Sequence, residues 1–164
     1  MNIYGVVGWK NSGKTTLVER LVAEITSRGL TVSTIKHAHH AFDVDTPGKD
    51  SYRHRAAGAS EVLVSSGARW ALMAELRGDD EPPLADLIAK LSPVDLVLIE
   101  GYKRDRHPKI EAHRAATGSD LIATGDDTIR AIATNDPVNS ALPCLSLDDE
   151  AAIADFILAD IGNG

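Results

Sequence analysis

The chain has 164 residues, of which 43% are hydrophobic and 25% charged, with a formal net charge of −7. This length predicts one domain over residues 1–164, and the composition is typical of a globular protein that needs no disulfide. The acidic balance argues against a general nucleic-acid binder, whose surface would be basic. The chain shows neither an apolar run of about 18 residues nor a basic leader before a hydrophobic segment, so we expect a cytoplasmic protein without membrane contact.

The first third of the chain predicts a strand–helix–strand unit. Residues 3–7 form an apolar, β-branched run that is typical of a buried parallel strand, and residues 31–35 predict a second strand. Residues 17–25 carry aliphatic side chains at helical spacing, and Gly29 follows them as a helix C-cap. Residues 37–51 are polar and aperiodic, which is typical of a functional loop.

Strands and helices alternate in the rest of the chain. The strongest predicted strand is residues 96–99, four consecutive aliphatic residues between Asp95 and Glu100. The other predicted elements are helices over residues 52–59 and 84–91, strands over residues 61–64, 69–76, 110–113, 121–124, 131–134 and 144–147, and a C-terminal helix after Asp148 and Asp149. This alternation predicts an α/β three-layer sandwich whose sheet is mostly parallel, with some antiparallel strands.

Residues 8–15 match the phosphate-loop (Walker A) pattern G-x-x-x-x-G-K-[ST] in full. The motif follows a predicted strand and opens a predicted helix, where backbone N–H groups and the helix N-terminus together cradle phosphates. Lys14 is expected to reach the β and γ phosphates, and the Thr15 hydroxyl is expected to ligate magnesium. The motif therefore predicts a P-loop NTPase-like fold that binds a purine triphosphate with Mg²⁺.

A carboxylate at the end of a neighbouring strand usually assists the magnesium ion. Glu100 ends the strongest predicted strand, at the sheet edge where ligand sites of open α/β sheets gather, whereas Asp95 lies at the opposite end. We therefore expect Glu100 to be the Walker B carboxylate, contacting the metal through water or activating a water molecule. The alternative is a helix-capping or solvent-facing glutamate.

The polar loop after the second strand is the expected place for a sensor of the γ-phosphate. Asp43, Asp45 and Asp50 could each approach a bound metal, and Lys49 could meet a phosphate. The alternative is a polar surface loop with solvated acidic side chains.

Three histidines stand close together in the same loop, and imidazoles at this density can bind zinc or nickel. They are His37, His39 and His40. No cysteine is near them in the sequence, so hydrogen bonding within the loop or contact with a substrate is the alternative.

Asp136 follows a late predicted strand, in the sequence Thr134-Asn135-Asp136. P-loop GTPases place an aspartate after such a strand, where its two oxygens accept the N1–H and N2–H₂ protons of guanine. Asp136 is thus the candidate base-selecting residue. The alternative is an ordinary turn before Pro137.

Taken together, several segments closely resemble the molybdopterin-guanine dinucleotide biosynthesis protein B family (MobB). The resemblance runs over essentially the whole chain and is strongest before Lys109; the histidine loop with Pro-Gly-Lys-Asp-Ser is more specific than the phosphate loop. The segments that carry it are residues 15–17, 35–40, 43–45, 47–52, 57–59, 69–73 and 100–103, in addition to the phosphate loop itself.

The resemblance implies a P-loop fold of the SIMIBI type, GTP binding with Mg²⁺, slow hydrolysis at best and a homodimer. It also implies a role in helping the molybdopterin guanylyltransferase that joins GMP to molybdopterin, by delivering the nucleotide or acting as an adapter. The family's metal-side acids carry over onto Asp45 and Glu100, with Lys49 beside them. The phosphate loop of the family carries over onto Gly8, Lys10, Asn11, Ser12, Gly13, Lys14, Thr15 and Thr16. Trp9, within the same loop, is also expected to contact the nucleotide.

One departure concerns the second position of the phosphate loop. Many SIMIBI proteins carry a lysine there that crosses the dimer to the partner's nucleotide, whereas this chain has Trp9 followed by Lys10.

Two other functions stay open. A small P-loop kinase could use residues 104–107 as a lid, and a metal-delivery GTPase could use the histidine loop.

Overall fold

A computed structural model of the protein describes residues 1–38 and 42–162. The chain forms two compact units, Met1–His37 with Leu84–Gly164 and Ala38–Pro83. The first unit contains β1 (Asn2–Val7), α1 (Lys14–Ser27), β2 (Val32–Lys36), α3 (Leu84–Ile88), β5 (Leu96–Glu100), β6 (Lys109–Ala112), β7 (Ile129–Ala133), β8 (Cys144–Leu145) and α4 (Glu150–Gly162). The second contains α2 (Asp50–Ala56), β3 (Glu61–Ser65) and β4 (Trp70–Ala74).

Within these described residues, the first unit holds a six-stranded sheet in the order β2-β5-β1-β6-β7-β8. Every neighbouring pair in it is parallel, so the carboxyl ends of its strands share one edge. The central strand is β1, flanked by β5 and β6. The predicted α/β fold is confirmed, and its phosphate loop leaves the middle of the sheet at the edge that positions ligands.

Side chains of β5 alternate between two hydrophobic clusters on opposite faces of the sheet. Leu96 and Leu98 pack in the larger cluster with residues of α1 and α4. Val97 and Ile99 pack in the smaller cluster with Leu84 of α3. A strand buried on both faces is the usual consequence of a parallel sheet with helices on both sides, and the predicted three layers are confirmed.

Helix α1 forms as its periodicity predicts, because its buried residues Leu17, Leu21 and Ile25 share the face that packs on the sheet. It ends at Ser27, and Gly29 follows with a φ of 84°, in the left-handed region that glycine adopts without strain. No helix in the described part of the chain is both long and apolar enough to cross a membrane.

The strand predicted over residues 121–124 is wrong, because Ile122–Thr124 form a 3₁₀ helix. The Glu111 carboxylate on β6 accepts hydrogen bonds from the backbone N–H groups of Ile122 and Ala123, both over 2.9 Å. This buried carboxylate satisfies the first N–H groups of the short helix, so a strand ladder is not needed there.

The second unit contains an antiparallel hairpin, in which β3 pairs with β4. The Arg55 guanidinium of α2 organises the acidic side chains of the unit. It donates hydrogen bonds to Asp43 at 2.8 Å, to Glu75 at 2.7 Å and to Asp45 at 3.3 Å. The antiparallel strands predicted beside the parallel sheet are thus present, as a separate two-stranded sheet.

Candidate nucleotide-binding site

The phosphate loop joins β1 to α1 and depends on close backbone approach. A Cβ atom on Gly8 would lie 2.4 Å from both the Ala112 carbonyl oxygen and Ser12 Oγ, so a side chain does not fit. Asn11 and Gly13 adopt left-handed conformations, with φ values of 65° and 92°. Such turns bring successive N–H groups to one side, which makes an anion-binding concavity. A cleft of about 330 Å³ lies here, lined by Asn11, Gly13, Lys14, Thr15 and Thr16.

Two polar side chains of the loop face inward. Lys14 Nζ donates a 2.6 Å hydrogen bond to the Trp9 carbonyl oxygen, so the ammonium group folds over its own loop. The Ser12 hydroxyl is buried and has no hydrogen-bond partner among the described residues. Burial, followed by the positive charge of Lys103, lowers the pKa of Lys14. A buried orphan hydroxyl beside a partly desolvated lysine suits an anionic ligand.

Thr15 and Glu100 meet at the carboxyl edge of the sheet. Thr15 Oγ1 donates a 2.7 Å hydrogen bond to Glu100 Oε1. The register explains the meeting, since Glu100 lies level with Val6 at the end of β1, immediately before the loop. Glu100 is only 9% exposed, so it is not the solvent-facing glutamate of the alternative interpretation.

Lys36 completes this pair and was not among the residues predicted for the site. Its Nζ atom lies 3.3 Å from Thr15 Oγ1 and 3.3 Å from Glu100 Oε1. Parallel pairing places Lys36 level with Glu100, because β2 lies next to β5. The sequence signal was a lysine at the end of a predicted strand, but strand order in a sheet is set by long-range contacts that no local pattern reveals.

A second missed cation lies on the other side of the loop. The Arg114 guanidinium, just after β6, lies against Gly13. A Cβ atom on Gly13 would be 3.3 Å from the Nε and Nη2 atoms of Arg114.

Trp9 is 41% exposed, and its indole N–H donates a 2.7 Å hydrogen bond to the Asp120 carbonyl oxygen. Lys10 and Thr16 are exposed. Their contact with a nucleotide stays a prediction.

Asp136 follows β7 at the same edge of the sheet. Its Oδ2 atom accepts a 2.7 Å hydrogen bond from the Ala115 backbone N–H. Asn135 is held on both sides of its amide, donating to Asp148 Oδ2 at 2.6 Å and accepting from the Ser146 hydroxyl at 2.9 Å. A cleft of about 500 Å³ lies here, lined by Thr134, Asn135, Asp136, Pro137, Val138, Cys144, Leu145 and Ser146. Guanine selection by Asp136 stays a prediction.

The acids and the lysine predicted from the polar loop belong to the second unit. Asp45 Oδ1 accepts hydrogen bonds from the Thr46 backbone N–H at 2.9 Å and from the Ser51 hydroxyl at 2.8 Å. With Arg55 on its other oxygen, the Asp45 side chain is 8% exposed. Lys49 is exposed at the start of α2. Their metal and phosphate roles stay predictions.

The histidine loop lies partly outside the described residues, which exclude His39 and His40. The His37 ring stacks on Tyr102 in the first unit, with the ring centroids 4.6 Å apart and the planes at 29°. Within residues 1–38 and 42–162, no group of three or more histidine, cysteine, aspartate or glutamate side chains could hold a metal ion.

The segment considered as a kinase lid has other contacts. Arg106 pairs with Asp127 at 2.8 Å on the surface, and His107 is only 4% exposed.

Comparisons with known proteins identify the family of the chain. The model of the family "Molybdopterin guanine dinucleotide synthesis protein B" (MobB) matches residues 3–135. The chain is 39% identical over 155 residues to the molybdopterin-guanine dinucleotide biosynthesis adapter protein of Escherichia coli (strain K12), covering 92% of this chain and 87% of that protein. It is 40% identical over 158 residues to the protein of the same name in Haemophilus influenzae, covering 94% of this chain and 86% of that protein.

Solved structures extend the comparison to the fold. The crystal structure of a MobB protein homolog from Bacillus stearothermophilus superposes with a TM-score of 0.74 and 30% identity. The match covers 100% of both chains. The chain therefore belongs to the MobB family.

Proposed function

We propose that this protein is a GTP-binding adapter in molybdopterin guanine dinucleotide biosynthesis. It assists the attachment of GMP to molybdopterin and is itself a slow GTPase at most. The family name supports the pathway. The observation that supports nucleotide binding is the contact of Thr15 with Glu100 at the phosphate loop, because it brings together the hydroxyl and the carboxylate that assist a nucleotide-bound metal ion in P-loop proteins.

The residues at this edge fit a magnesium ion. Thr15 and Glu100 present hard oxygen ligands, which Mg²⁺ prefers, and the Lys36 ammonium already lies 3.3 Å from an oxygen of each. A cation therefore suits this position. When bound, Mg²⁺ neutralises negative charge on the β and γ phosphates. We propose Thr15 and Glu100 as its holders, with Asp45 as the further acidic residue implied by the family resemblance.

We infer slow GTP turnover from the contacts of the Glu100 carboxylate. Its Oε1 atom accepts the Thr15 hydrogen bond and pairs with Lys36. We propose that Glu100, held by these two partners, takes a metal-side position rather than activating a water molecule. This arrangement supports a site that keeps its nucleotide intact for another enzyme.

Guanine selectivity is proposed to come from Asp136. Its Oδ2 atom is oriented by the Ala115 N–H, and the neighbouring Asn135 is fixed by Asp148 and Ser146. A carboxylate oriented in this way can accept two hydrogen bonds from a guanine edge, and adenine offers no such donor pair.

The proposed partners are the molybdopterin guanylyltransferase, molybdopterin and a second copy of this chain, in the cytoplasm. The hairpin of the second unit supports the homodimer. Leu63 and Leu72 are opposite each other on β3 and β4 and are 61% and 43% exposed. Paired apolar side chains in contact with water are typical of a surface that another protein covers.

The test measures GTP binding and phosphate release by the protein alone, then GMP transfer to molybdopterin with and without the protein. We expect tight, Mg²⁺-dependent GTP binding, slow phosphate release, and faster formation of the dinucleotide by the guanylyltransferase. Rapid GTP turnover by the protein alone would contradict the adapter function. Phosphate transfer from GTP to molybdopterin or its precursors would instead identify a kinase.

A further inference from the structure

The phosphate loop has more positive charge around it than the Walker pattern supplies. Lys14 belongs to the pattern, whereas Lys36 and Lys103 come from β2 and from the segment after β5. Both of these lysines lower the pKa of Lys14, the effect of Lys103 being the larger. Glu100 pairs with Lys36, but among the described residues no carboxylate forms an ion pair with Lys14 or Lys103, so this local positive charge in a chain with a net charge of −7 suits an anionic ligand.

Lys103 rests on the phosphate loop itself. Its Nζ atom lies 4.1 Å from the centre of the Trp9 ring, which is within cation–π range. Among the described residues no carboxylate forms an ion pair with Lys103, and burial lowers its pKa, with Glu111 acting in the opposite direction. This ammonium group has thus exchanged water for an aromatic face without forming an ion pair among the described residues.

The backbone before Lys103 is constrained. Gly101 has a φ of 98°, and a Cβ atom there would lie 2.9 Å from His37 Cβ. Tyr102 follows with a φ of 49°, although it is not a glycine, and the stacked His37 ring lies against its side chain. Left-handed conformations of larger residues are unfavourable and concentrate at functional sites. Here they lie between Glu100, which contacts Thr15, and Lys103, whose ammonium group lies over the Trp9 ring.

We propose that Lys103 is a second phosphate-binding residue of this site, which lies on the indole face of Trp9 in this structure and moves to the terminal phosphate when a nucleoside triphosphate binds. A flexible lysine side chain can make this change without backbone movement. Hydrogen bonds from an ammonium group to phosphate are stronger than its contact with a partly exposed ring, so the transfer favours the bound state. This inference rests on the proposed nucleotide-binding function.

Two readouts test the proposal. The chain has two tryptophans, so the W70F variant, which keeps an aromatic ring at that position, leaves Trp9 as the sole indole. Its fluorescence reports the departure of Lys103 when GTP binds. GTP and GDP affinities are then compared for K103M, for K103R as the conservative variant, and for K90M, which removes an exposed lysine before β5 at the opposite edge of the sheet.

We expect K103M to weaken GTP binding by roughly 10- to 100-fold and GDP binding much less, because the lost contact is to the terminal phosphate. K103R should restore most of the GTP affinity, K90M should bind as wild type does, and the GTP-dependent fluorescence change should disappear in W70F/K103M.

Equal losses for GTP and GDP, or unchanged GTP affinity in K103M, would overturn the assignment of Lys103. Failure of the wild-type protein to bind GTP at all would overturn the proposed function itself, so the two failures are distinguishable.

Discussion

Thr15 Oγ1 donates a 2.7 Å hydrogen bond to Glu100 Oε1, and this contact joins the phosphate loop to the end of the neighbouring strand β5. The two residues are 85 positions apart in the chain and meet because β1 and β5 pair in parallel, with their carboxyl ends level. A hydroxyl at the start of α1 and a carboxylate at the end of β5 are thus brought to one point.

Replacing Lys14 by alanine should abolish triphosphate binding. The variant removes the ammonium group that is folded onto the Trp9 carbonyl and that is expected to turn onto the phosphates. Binding is measured by titration with a fluorescent GTP analogue. The exposed Lys90→Ala is the matched control, and normal GTP affinity in Lys14→Ala would remove the basis of the phosphate-loop assignment.

Replacing Glu100 by glutamine should weaken metal binding while leaving the fold intact. Glutamine keeps an oxygen that can accept the Thr15 hydrogen bond but loses the charge that attracts the cation. We expect the affinity of the GTP complex for Mn²⁺, measured by electron paramagnetic resonance as a probe for Mg²⁺, to fall about 10- to 100-fold. Glu19→Gln, an exposed change in α1, is the control. Equal metal affinity in both variants would assign the metal elsewhere.

Replacing Asp136 by asparagine should shift base preference from GTP towards xanthosine triphosphate. Asparagine can still accept the hydrogen bond from the Ala115 N–H, so the local structure should persist while the second acceptor oxygen becomes a donor. We expect the affinity for GTP to fall roughly tenfold or more relative to the affinity for xanthosine triphosphate, measured by competition binding. Asp127→Asn, at an exposed ion pair, is the control. An unchanged preference would place the base site elsewhere.

The free energy of unfolding should fall between pH 6.5 and 4 because of His107. Burial lowers the pKa of this histidine to about 4, and neither ring nitrogen has a partner among the described residues. In this pH window His107 binds a proton in the unfolded chain but stays neutral in the folded protein, so the free energy of unfolding decreases as the pH falls. The cost is about 2 kcal/mol at pH 5 relative to pH 7.5.

Urea unfolding of the wild type and of His107→Leu at the two pH values measures this contribution. Leucine is uncharged at both, so the variant should lose about 2 kcal/mol less than the wild type on acidification. The same pH dependence in both proteins would show that other groups are responsible.

Replacing Leu63 and Leu72 by serine should shift the protein from dimer to monomer. Both side chains are exposed on the hairpin and lie opposite each other, so the double variant removes apolar area without disturbing a core. Light scattering after size exclusion gives the mass. Arg69→Ser, beside the hairpin turn, is the control, and a wild-type protein that is monomeric would contradict the proposed dimer.

Local patterns were sufficient to predict the strands and helices that carry the loop. An aliphatic run, a complete phosphate-loop motif and a helical period each act over a few residues, and β1, α1 and β5 follow from them. They do not determine the strand order that brings Lys36 beside Glu100, which is a property of the whole sheet. The strand predicted at residues 121–124 failed for a related reason, since Glu111 is ten or more residues away from the N–H groups that it binds.

The acidic residues of the polar loop show a further limit. Their type and spacing favour a metal-side role, but composition cannot reveal that Asp45 accepts hydrogen bonds from Ser51 and Arg55 in the second unit. The family resemblance supplied what the residues alone did not, namely the pathway. The assignment of residues 1–164 to one domain and the roles of the individual site residues stay predictions.

The Lys36 ammonium gives the site a resident counter-ion. Because it pairs with Glu100, this nearly buried carboxylate keeps a cationic neighbour when neither nucleotide nor metal is present. Binding of Mg²⁺ with the nucleotide would then replace the Lys36 ammonium group beside Glu100 by another cation. Under the proposed adapter function, release of the nucleotide leaves Glu100 paired with Lys36 rather than without a cationic partner, so the same site is prepared to bind a metal ion and a nucleotide again.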